Sequence, residues 1–263
     1  MIQMLLSIEE VSEKIKSGGI SPIELTQETL NRINKVDGSL NSYITVMNNE
    51  ALHASELAEK EIESGRYRGP LHGIPIAVKD IISTKSVPTT CGSKLMLDNK
   101  INYDATVVER LKNAGAIIIG KLNLHEFAAT SSEKQSYFGA TKNPWDLNMH
   151  PGLSSSGPGA AVAAGLCYGA LGTDTGGSIR IPAAHCGIVG LKPTYGRVSR
   201  FGVHPLSWTL DHVGPMTRKV ADAGIMLQTI AGRDAKDSTS SNSQVDNYIK
   251  LIKEEIEGIK IGF

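Results

Sequence analysis

A short stretch rich in serine, glycine and alanine, from Pro151 to Ala184, dominates this sequence. It reads PGLSSSGPGAAVAAGLCYGALGTDTGGSIRIPAA, with a serine cluster, a run of small residues and a Gly-Gly-Ser turn. Gly176 and Gly177 leave the backbone bare, so amide N–H groups can approach a ligand closely. Ser178 follows them directly, which suits a nucleophile beside a group of backbone donors. A Gly/Ser-rich surface loop is the simpler interpretation, but the alanine-rich flanks favour a loop held inside a packed domain.

Composition excludes several classes of partner and site. The 263 residues are 40% hydrophobic and 21% charged, as in ordinary soluble globular proteins. Lys+Arg and Asp+Glu both number 27, and this balance argues against nucleic acid or a membrane surface as a partner. The three cysteines form no C-x-x-C pair, which predicts neither disulfides nor a zinc site. The sequence shows no signal-peptide pattern and no apolar run of membrane length, so we expect a cytoplasmic protein. The seven histidines lack metal-ligand spacing, so we expect no metal site.

The first 65 residues read as mainly helical. Capping and periodicity signals predict helices over Ser7–Ser17, over Ser21–Val36 with Gly38 as the stop, and over Glu50–Ser64, with a short strand at Tyr43–Met47. The segment carries no chemical signature, so we interpret it as scaffold.

The pattern changes after Gly69. The run GIPIAVKD contains an apolar strand, Ile74–Val78, which is followed directly by Lys79. A helix over Val107–Asn113 then leads into the short strand AIIIGK, which is apolar up to its final lysine. This strand–helix–strand order predicts α/β architecture with a largely buried sheet.

Weaker signals follow the Ser/Gly stretch. Thr217 is predicted to cap a helix that ends near Ile230, and the tract RDAKDSTSSNSQ after it is predicted to be exposed and disordered. A last helix over Val245–Glu257 and the start of a strand at Ile259–Phe263 complete the interpretation.

A serine nucleophile in this chain needs a base other than histidine. The G-x-S-x-G elbow is absent, and the S-x-x-K spacing of Ser131 and Lys134 lies in a polar tract without a K-T-G partner, which we interpret as chance. Lysine can act as the base when it is neutral, which requires its pKa to fall by about 3 from ~10.4. Full burial lowers the pKa of lysine by up to roughly 3–5. Lys79, after its apolar strand, is the candidate, and a solvated lysine just past a strand is the alternative.

Four segments together resemble the amidase signature family, namely GIPIAVKD, PGLSSSGPGAAVAAG, GTDTGGSIRIPAAHCGIVGLKPTYGRVS and PLSWTLDHVGPMTR. The resemblance covers nearly the whole chain. It implies a Ser–Ser–Lys triad with Ser178 as the nucleophile, Ser154 as the bridging serine and Lys79 as the base, and it implies no cofactor. It also implies backbone donors of an oxyanion hole and two supporting polar residues, which are Thr175, Gly176, Gly177 and Ser178 for the hole and Ser155 and Asp174 for the support.

The resemblance also implies a fold. It is an α/β fold in which a mixed β-sheet is flanked by helices, here as a single domain over residues 1–263 that is C-terminally incomplete. Within it, residues 1–65 would form a helical N-terminal segment and residues 66–232 the catalytic core. Residues 233–263 would supply a polar loop, a helix and the start of a further strand.

Two residues depart from the family pattern. Leu153 stands where glycine usually precedes the bridging serine, and in the family the peptide bond before that serine is cis, which costs about 3–4 kcal/mol for a non-proline residue. Pro158 replaces the usual serine near the start of the alanine-rich helix, where proline is tolerated but a hydroxyl is lost. All three triad positions are present. We therefore expect the two departures to affect the activity and the substrate binding of this chain rather than its place in the family pattern.

The implied reaction is hydrolysis of a small-molecule carboxylic amide to an acid and ammonia or an amine, through an acyl-enzyme on Ser178. The run PLSWTLDHVGPMTR favours a free-standing amidase, as does Ile181, which stands where the A subunit of the tRNA-dependent amidotransferase usually has glutamine. That glutaminase-type protein is the alternative. A further alternative is a truncated, non-catalytic fragment or half of a split protein, whose edge strand IKIGF would pair with a second copy, as a homodimer, or with a complementing C-terminal half.

Overall fold

A six-stranded mixed sheet forms the centre of the molecule in a computed structural model, which describes residues 6–129, 136–258 and 260. The strand order is β1-β3-β2-β4-β6-β5. The three central strands, β3, β2 and β4, run parallel, while β1 and β6 are antiparallel to their neighbours and β5 is antiparallel to β6. The strands span Tyr43–Val46 (β1), Pro75–Lys79 (β2), Ile117–Leu122 (β3), Gly169–Asp174 (β4), Val189–Gly190 (β5) and His212–Thr217 (β6).

Helices cover both faces of this sheet, which confirms the predicted fold class. They span Ile8–Lys16 (α1), Pro22–Leu40 (α2), Asn48–Glu63 (α3), Thr106–Asn113 (α4), Ser156–Ala163 (α5), Arg180–Cys186 (α6), Val220–Ile230 (α7) and Tyr248–Leu251 (α8). The capping box predicted for the first helix is present, because Ser7 and Glu10 each accept a hydrogen bond from the other's backbone N–H. In the described part of the chain, no helix is both long and apolar enough to cross a membrane.

The core lies on the two faces of the central strands. Alternate residues of β2 point to opposite faces, so Ile76 packs with α1, α4 and α7, whereas Ala77 packs with α2 and α5. Every residue of β2, β3 and β4 is buried. Strands buried on both faces read as continuous apolar runs, which explains the appearance of Ile74–Val78 in the sequence.

Helix α2 is longer than its sequence predicts. It passes through Gly38, which was expected to stop it, and ends at Asn41, whose φ of 54° is left-handed. Asparagine tolerates this conformation, and the Asn41 N–H caps the helix by donating to Asp37. The extension also buries Leu40, so the expected stop at Gly38 is wrong because tertiary packing outweighs the preference of a single glycine.

The helix signal at Thr217 is also wrong. Thr217 is the last residue of β6, which pairs along its whole length with β4, and its hydroxyl donates to the carbonyl oxygen of Lys219. Helix α7 begins three residues later, at Val220. Six backbone pairings with β4 therefore outweigh the local capping preference of a threonine.

The polar tract after α7 is attached to the core. The buried carboxylate of Asp234 accepts hydrogen bonds from Thr106 at 2.5 Å and from Ser199 at 2.6 Å, so the prediction of disorder is wrong there. The last described helix is much shorter than predicted, because only Tyr248–Leu251 is helical. Apart from Lys260, the strand predicted at the C-terminus lies outside the described residues, as does the S-x-x-K spacing at residues 131–134.

Candidate active site

Lys79 is the last residue of β2, beside the end of β4. Parallel strands present their carboxyl ends at the same edge of a sheet, and in α/β folds this edge is where ligands bind. Thr173 and Asp174 close β4 at that edge, so the strand order brings Lys79 to the Ser/Gly stretch that follows β4 in the sequence.

The Lys79 side-chain nitrogen contacts three hydroxyl groups. Its Nζ lies 2.8 Å from Ser154 Oγ, 3.1 Å from Ser155 Oγ and 2.8 Å from Thr173 Oγ1. The side chain is fully buried, and Ser154 is 1% exposed. The structure therefore brings Lys79 together with Ser154 and Ser155 and adds Thr173, which was not among the predicted site residues.

Burial lowers the pKa of Lys79 from 10.5 to about 7, against the opposing effect of the negative charges of Asp174 and Asp211. No carboxylate is bonded to Nζ among the described residues, since its partners are neutral hydroxyl groups. A substantial fraction of the amine is therefore neutral near pH 7, as a base requires.

The hydrogen atoms can be assigned around a neutral Lys79. Ser155 Oγ donates to the carbonyl oxygen of Thr173 at 3.0 Å, so it accepts from Nζ. A neutral amine has two N–H donors and one lone pair. With Ser155 and Thr173 taking the two donors, the lone pair faces Ser154, whose hydroxyl can then donate to Nζ.

Close backbone contacts place the serine cluster. Gly152 has a φ of 121°, and a Cβ there would lie 2.6 Å from Pro182 Cα. A Cβ on Gly157, in the first turn of α5, would lie 2.4 Å from the carbonyl oxygen of Asn123. These contacts need glycine, and they seat the start of α5 against the loop after β3.

Both departures from the family pattern fit this backbone. Pro158 lies in the first turn of α5, where an N–H has no intrahelical acceptor, so the helix loses no bond. Leu153 is half-buried, and its Cδ1 lies 3.8 Å from where a Cβ on Gly177 would be. The expected cis bond before Ser154 is absent: all peptide bonds of the described residues are trans, the ordinary form for a non-proline residue.

Asp174 holds the Gly-Gly-Ser turn. Its carboxylate accepts from the N–H of Gly177 at 2.7 Å, from that of Ile179 at 3.1 Å, and from the Arg180 guanidinium at 3.0 Å. Burial by itself would raise the pKa of Asp174, but the bonds from Arg180 and the backbone N–H groups bring it down to about 2. Asp174 is thus a charged anchor inside the turn.

This anchor changes the set of backbone donors. The Gly177 N–H is occupied by Asp174, so Gly177 does not serve as the free donor that the resemblance implied. Within residues 6–129, 136–258 and 260, no hydrogen bond uses the N–H of Thr175, Gly176 or Ser178. Three of the four predicted donors remain open to a ligand.

Ser178 is 6% exposed and follows Gly177, whose φ of 119° is open to glycine only. Among the described residues, no hydrogen bond joins its hydroxyl to Ser154. The structure therefore assembles the Lys79–Ser154 pair and leaves the link to Ser178 open, which is common in ligand-free sites.

A cavity of about 340 Å³ lies at the start of the turn. Its wall includes both threonines that flank Asp174 and several apolar side chains, among them Thr173, Thr175, Ala128, Phe201, Trp208 and Val213. In the part of the chain that the structure describes, no three His, Cys, Asp or Glu side chains are grouped to hold a metal ion.

Two polar residues of the site were not identified from the sequence. Thr173 stands in the run GTDTGGS, and its place two residues from a candidate hole was a signal that could have been used. Asp211 gave no such signal, because its approach to the turn depends on the pairing of β6 with β4, where Asp174 faces His212.

Comparison with known proteins places this arrangement in a family. The family model described as Amidase matches residues 24–263. The A subunit of glutamyl-tRNA(Gln) amidotransferase from Prochlorococcus marinus (strain NATL2A) is 52% identical over 98% of this chain and 53% of its own length. The chain thus spans about half the length of the curated relatives it matches.

Solved structures agree. The peptide amidase of Stenotrophomonas maltophilia superposes with a TM-score of 0.89 at 40% identity, over 94% of this chain and 52% of that one. The A subunit of glutamyl-tRNA(Gln) amidotransferase from Thermotoga maritima superposes with a TM-score of 0.80 at 42% identity, over 92% and 50%. The chain belongs to the amidase signature family.

Proposed function

We propose that the chain hydrolyses a carboxylic amide through an acyl-enzyme on Ser178, with Lys79 as the base and Ser154 as the bridging residue. The observation that carries this proposal is the buried Lys79 amine, with a pKa of about 7 and a hydroxyl partner at 2.8 Å. A lysine buried only for packing would need neither neutral hydroxyl partners nor a place at the ligand-binding edge of the sheet.

Formation of the acyl-enzyme begins with two proton transfers and the attack of Ser178, and it ends with return of the proton to the leaving nitrogen. Neutral Lys79 accepts a proton from Ser154, which accepts one from Ser178 as the Ser178 oxygen bonds to the amide carbon. The carbonyl oxygen becomes an oxyanion. When the C–N bond breaks, the proton held by Lys79 returns through Ser154 to the leaving nitrogen, and ammonia or an amine departs.

Water completes the cycle. It attacks the Ser178 ester and gives up a proton to the same Lys79–Ser154 pair, and the acid leaves as Ser178 regains its hydrogen. The N–H groups of Thr175, Gly176 and Ser178 stabilise both oxyanions, and removal of one such donor typically costs about 10²–10³ in rate. These steps use only groups of this chain.

We propose glutamine as the amide, as expected for a glutaminase-type A subunit that passes ammonia on in the presence of partner proteins. The support is the 52–53% identity to curated A subunits, which favours this assignment over the free-standing amidase expected from the sequence. A free-standing amidase is the second candidate, favoured by Ile181 and by the superposition on the peptide amidase. We also propose a cytoplasmic location, for which the support is three cysteines without a C-x-x-C pair in the sequence.

Labelling with a serine-reactive fluorophosphonate, followed by mass spectrometry of the adduct, tests the mechanism. We expect the parent chain to be labelled at Ser178, and the Lys79→Ala and Ser178→Ala variants to lose the adduct while remaining folded. Release of ammonia from glutamine, compared with release from peptide amides, then separates the two candidates. A folded parent that is not labelled at Ser178 would refute the mechanism and favour the non-catalytic alternative.

A further inference from the structure

The carboxylate of Asp211 connects the start of the Gly-Gly-Ser turn to a separate loop. Its Oδ1 accepts a hydrogen bond from Thr175 Oγ1 at 2.5 Å. Its Oδ2 accepts from the backbone N–H of Leu206 at 2.8 Å and of Ser207 at 2.9 Å. Residues 204–211, called the Trp208 loop below, are thus tied to the turn through the side chain of Asp211.

The two ends of the turn are held by carboxylates on neighbouring strands. Asp174 ends β4 and bonds the later part of the turn, at Gly177 and Ile179. Asp211 precedes β6, whose first residue, His212, pairs with Asp174 across the antiparallel ladder. The register between β4 and β6 therefore determines the positions of both carboxylates. Of the two, Asp211 is the one that bonds Thr175.

The same contact fixes a wall of the cavity. Thr175 lines the cavity together with Leu206, Trp208 and Asp211 itself. Trp208 is 75% exposed, and its carbonyl oxygen accepts hydrogen bonds from Tyr195 Oη at 2.9 Å and from the Arg200 guanidinium at 2.7 Å. The backbone N–H groups that donate to Asp211 are a further restraint, and this one joins the wall to the turn, because the same carboxylate accepts from Thr175.

We propose that Asp211 is a positioning residue for the amidase reaction, because it fixes Thr175 at the start of the donor turn and holds the Trp208 loop against it. This inference rests on the proposed function, since that function assigns the turn its role. Asp211 acts through Thr175 and the loop, and its carboxylate is occupied by three donors. Small displacements of groups that surround a reacting centre cost up to about 10²-fold in rate.

A double-mutant cycle on the parent chain tests the coupling. The measured quantity is the second-order rate constant for fluorophosphonate labelling of Ser178. We expect this rate constant to fall about 10-fold in Asp211→Asn, which keeps one acceptor oxygen. It should fall about 100-fold in Asp211→Ala, which removes both oxygens of the side chain. Thr175→Val should slow labelling by about as much as Asp211→Asn. The double variant that carries both changes should react about as fast as the slower of the two single variants, because both changes break the same hydrogen bond.

Asp146→Asn is the matched control. Asp146 also accepts a backbone N–H in its own exposed loop, from Asn148 at 2.9 Å, but it has no bond to the turn. Its substitution should leave the labelling rate within about 2-fold of the parent. Equal losses in the control, or effects of Asp211→Asn and Thr175→Val that simply multiply in the double variant, would overturn the proposal.

The pH profile adds a readout that a merely structural role would not move. The charged or titratable groups that face Lys79 are Asp174, Asp211 and His125, and the two carboxylates raise the pKa of Lys79. Removal of the Asp211 charge should shift the rising limb of the labelling profile to lower pH in Asp211→Asn. Thr175→Val keeps that charge, so its rising limb should stay in place.

Hydrogen exchange measured by mass spectrometry separates the two proposals. In Asp211→Ala, exchange should accelerate both in residues 174–178 and in the Trp208 loop, whether or not the chain is catalytic. Acceleration confined to the loop would overturn the coupling. A parent chain unlabelled at Ser178 would refute the proposed function, whereas a labelled parent with unaffected Asp211 variants would refute only the positioning role.

Discussion

Replacing Lys79 by methionine isolates the free-energy consequence of burying an amine. Methionine is similar in length and carries no charge, so the variant removes the ionisable group from a fully buried site. Burial lowers the pKa of Lys79 from 10.5 to about 7. At about 1.36 kcal/mol for each pH unit, this difference corresponds to about 5 kcal/mol of pH-dependent stability.

The sign follows from proton counting. Below pH 7 the amine is charged in both the folded and the unfolded chain, so the cost of burial is fully present. Between pH 7 and 10.5 the unfolded chain binds the extra proton, and the free energy of unfolding of the parent rises with pH. Relative to Lys79→Met, the parent should gain about 3 kcal/mol between about pH 7 and 9.5.

Urea denaturation of both proteins at several pH values measures this difference directly, without any need for catalysis. Lys35→Met, which replaces an exposed lysine on α2, is the matched control and should differ from the parent by the same amount at every pH. A parent-minus-variant difference for Lys79→Met that stays constant across this range would show that the buried amine titrates near its ordinary pH. The reasoning from burial to base would then fail.

Two further substitutions, each with a matched control, test the close packing of α5 and a buried ion pair between Asp80, which follows β2, and Lys121 of β3. Gly157→Ala should destabilise the fold by about 2–3 kcal/mol, because its Cβ would lie 2.4 Å from a backbone oxygen. In the control Gly38→Ala, the new Cβ has nothing within 4 Å, and the change should stabilise α2 by about 0.5–1 kcal/mol. Equal urea midpoints for the two variants would contradict this prediction. Asp80→Asn should lower the free energy of unfolding by about 3–5 kcal/mol, because it leaves the fully buried Lys121 without the carboxylate 2.9 Å away. The control Glu109→Gln breaks an exposed ion pair and should lower it by less than about 1 kcal/mol. Urea unfolding at pH 7 measures both, and similar losses would contradict the assigned role of burial.

The sequence of this chain predicts the chemical groups of the candidate site better than it predicts where helices and strands begin and end. A continuous apolar run before Lys79 predicts a strand buried on both faces, and a lysine at its end is buried with it. The family resemblance pairs that lysine with Ser154, and the structure places their atoms 2.8 Å apart. Local glycine and serine patterns suffice here because bare backbone and small side chains are what close approach requires.

The remaining features depend on contacts between distant residues. Thr173 and Asp211 belong to the site because β4 pairs with both β2 and β6, and no local pattern encodes those pairings. The same pairing turned Thr217 from an expected cap into a strand residue. Gly38 failed as a stop because Leu40, two residues on, is buried against another element. In each case a contact made after chain collapse outweighs a preference of a few tenths of a kcal/mol to about 1 kcal/mol.

The parallel pairing of β2 with β4 also has a consequence for the order of folding. Ile76 faces Gly169 across this pair, so the two strands meet only after a long intervening segment has been closed into a loop. Pairings of this kind form slowly, because the entropy of loop closure is lost before any contact compensates for it. Until β4 docks, Lys79 has no Thr173 and no Ser155 beside it and stays in water as an ammonium ion. We therefore expect Lys79 to lose its proton late in folding. The rate of the slow step in which β4 docks then depends on pH, whereas the rate of the early collapse does not.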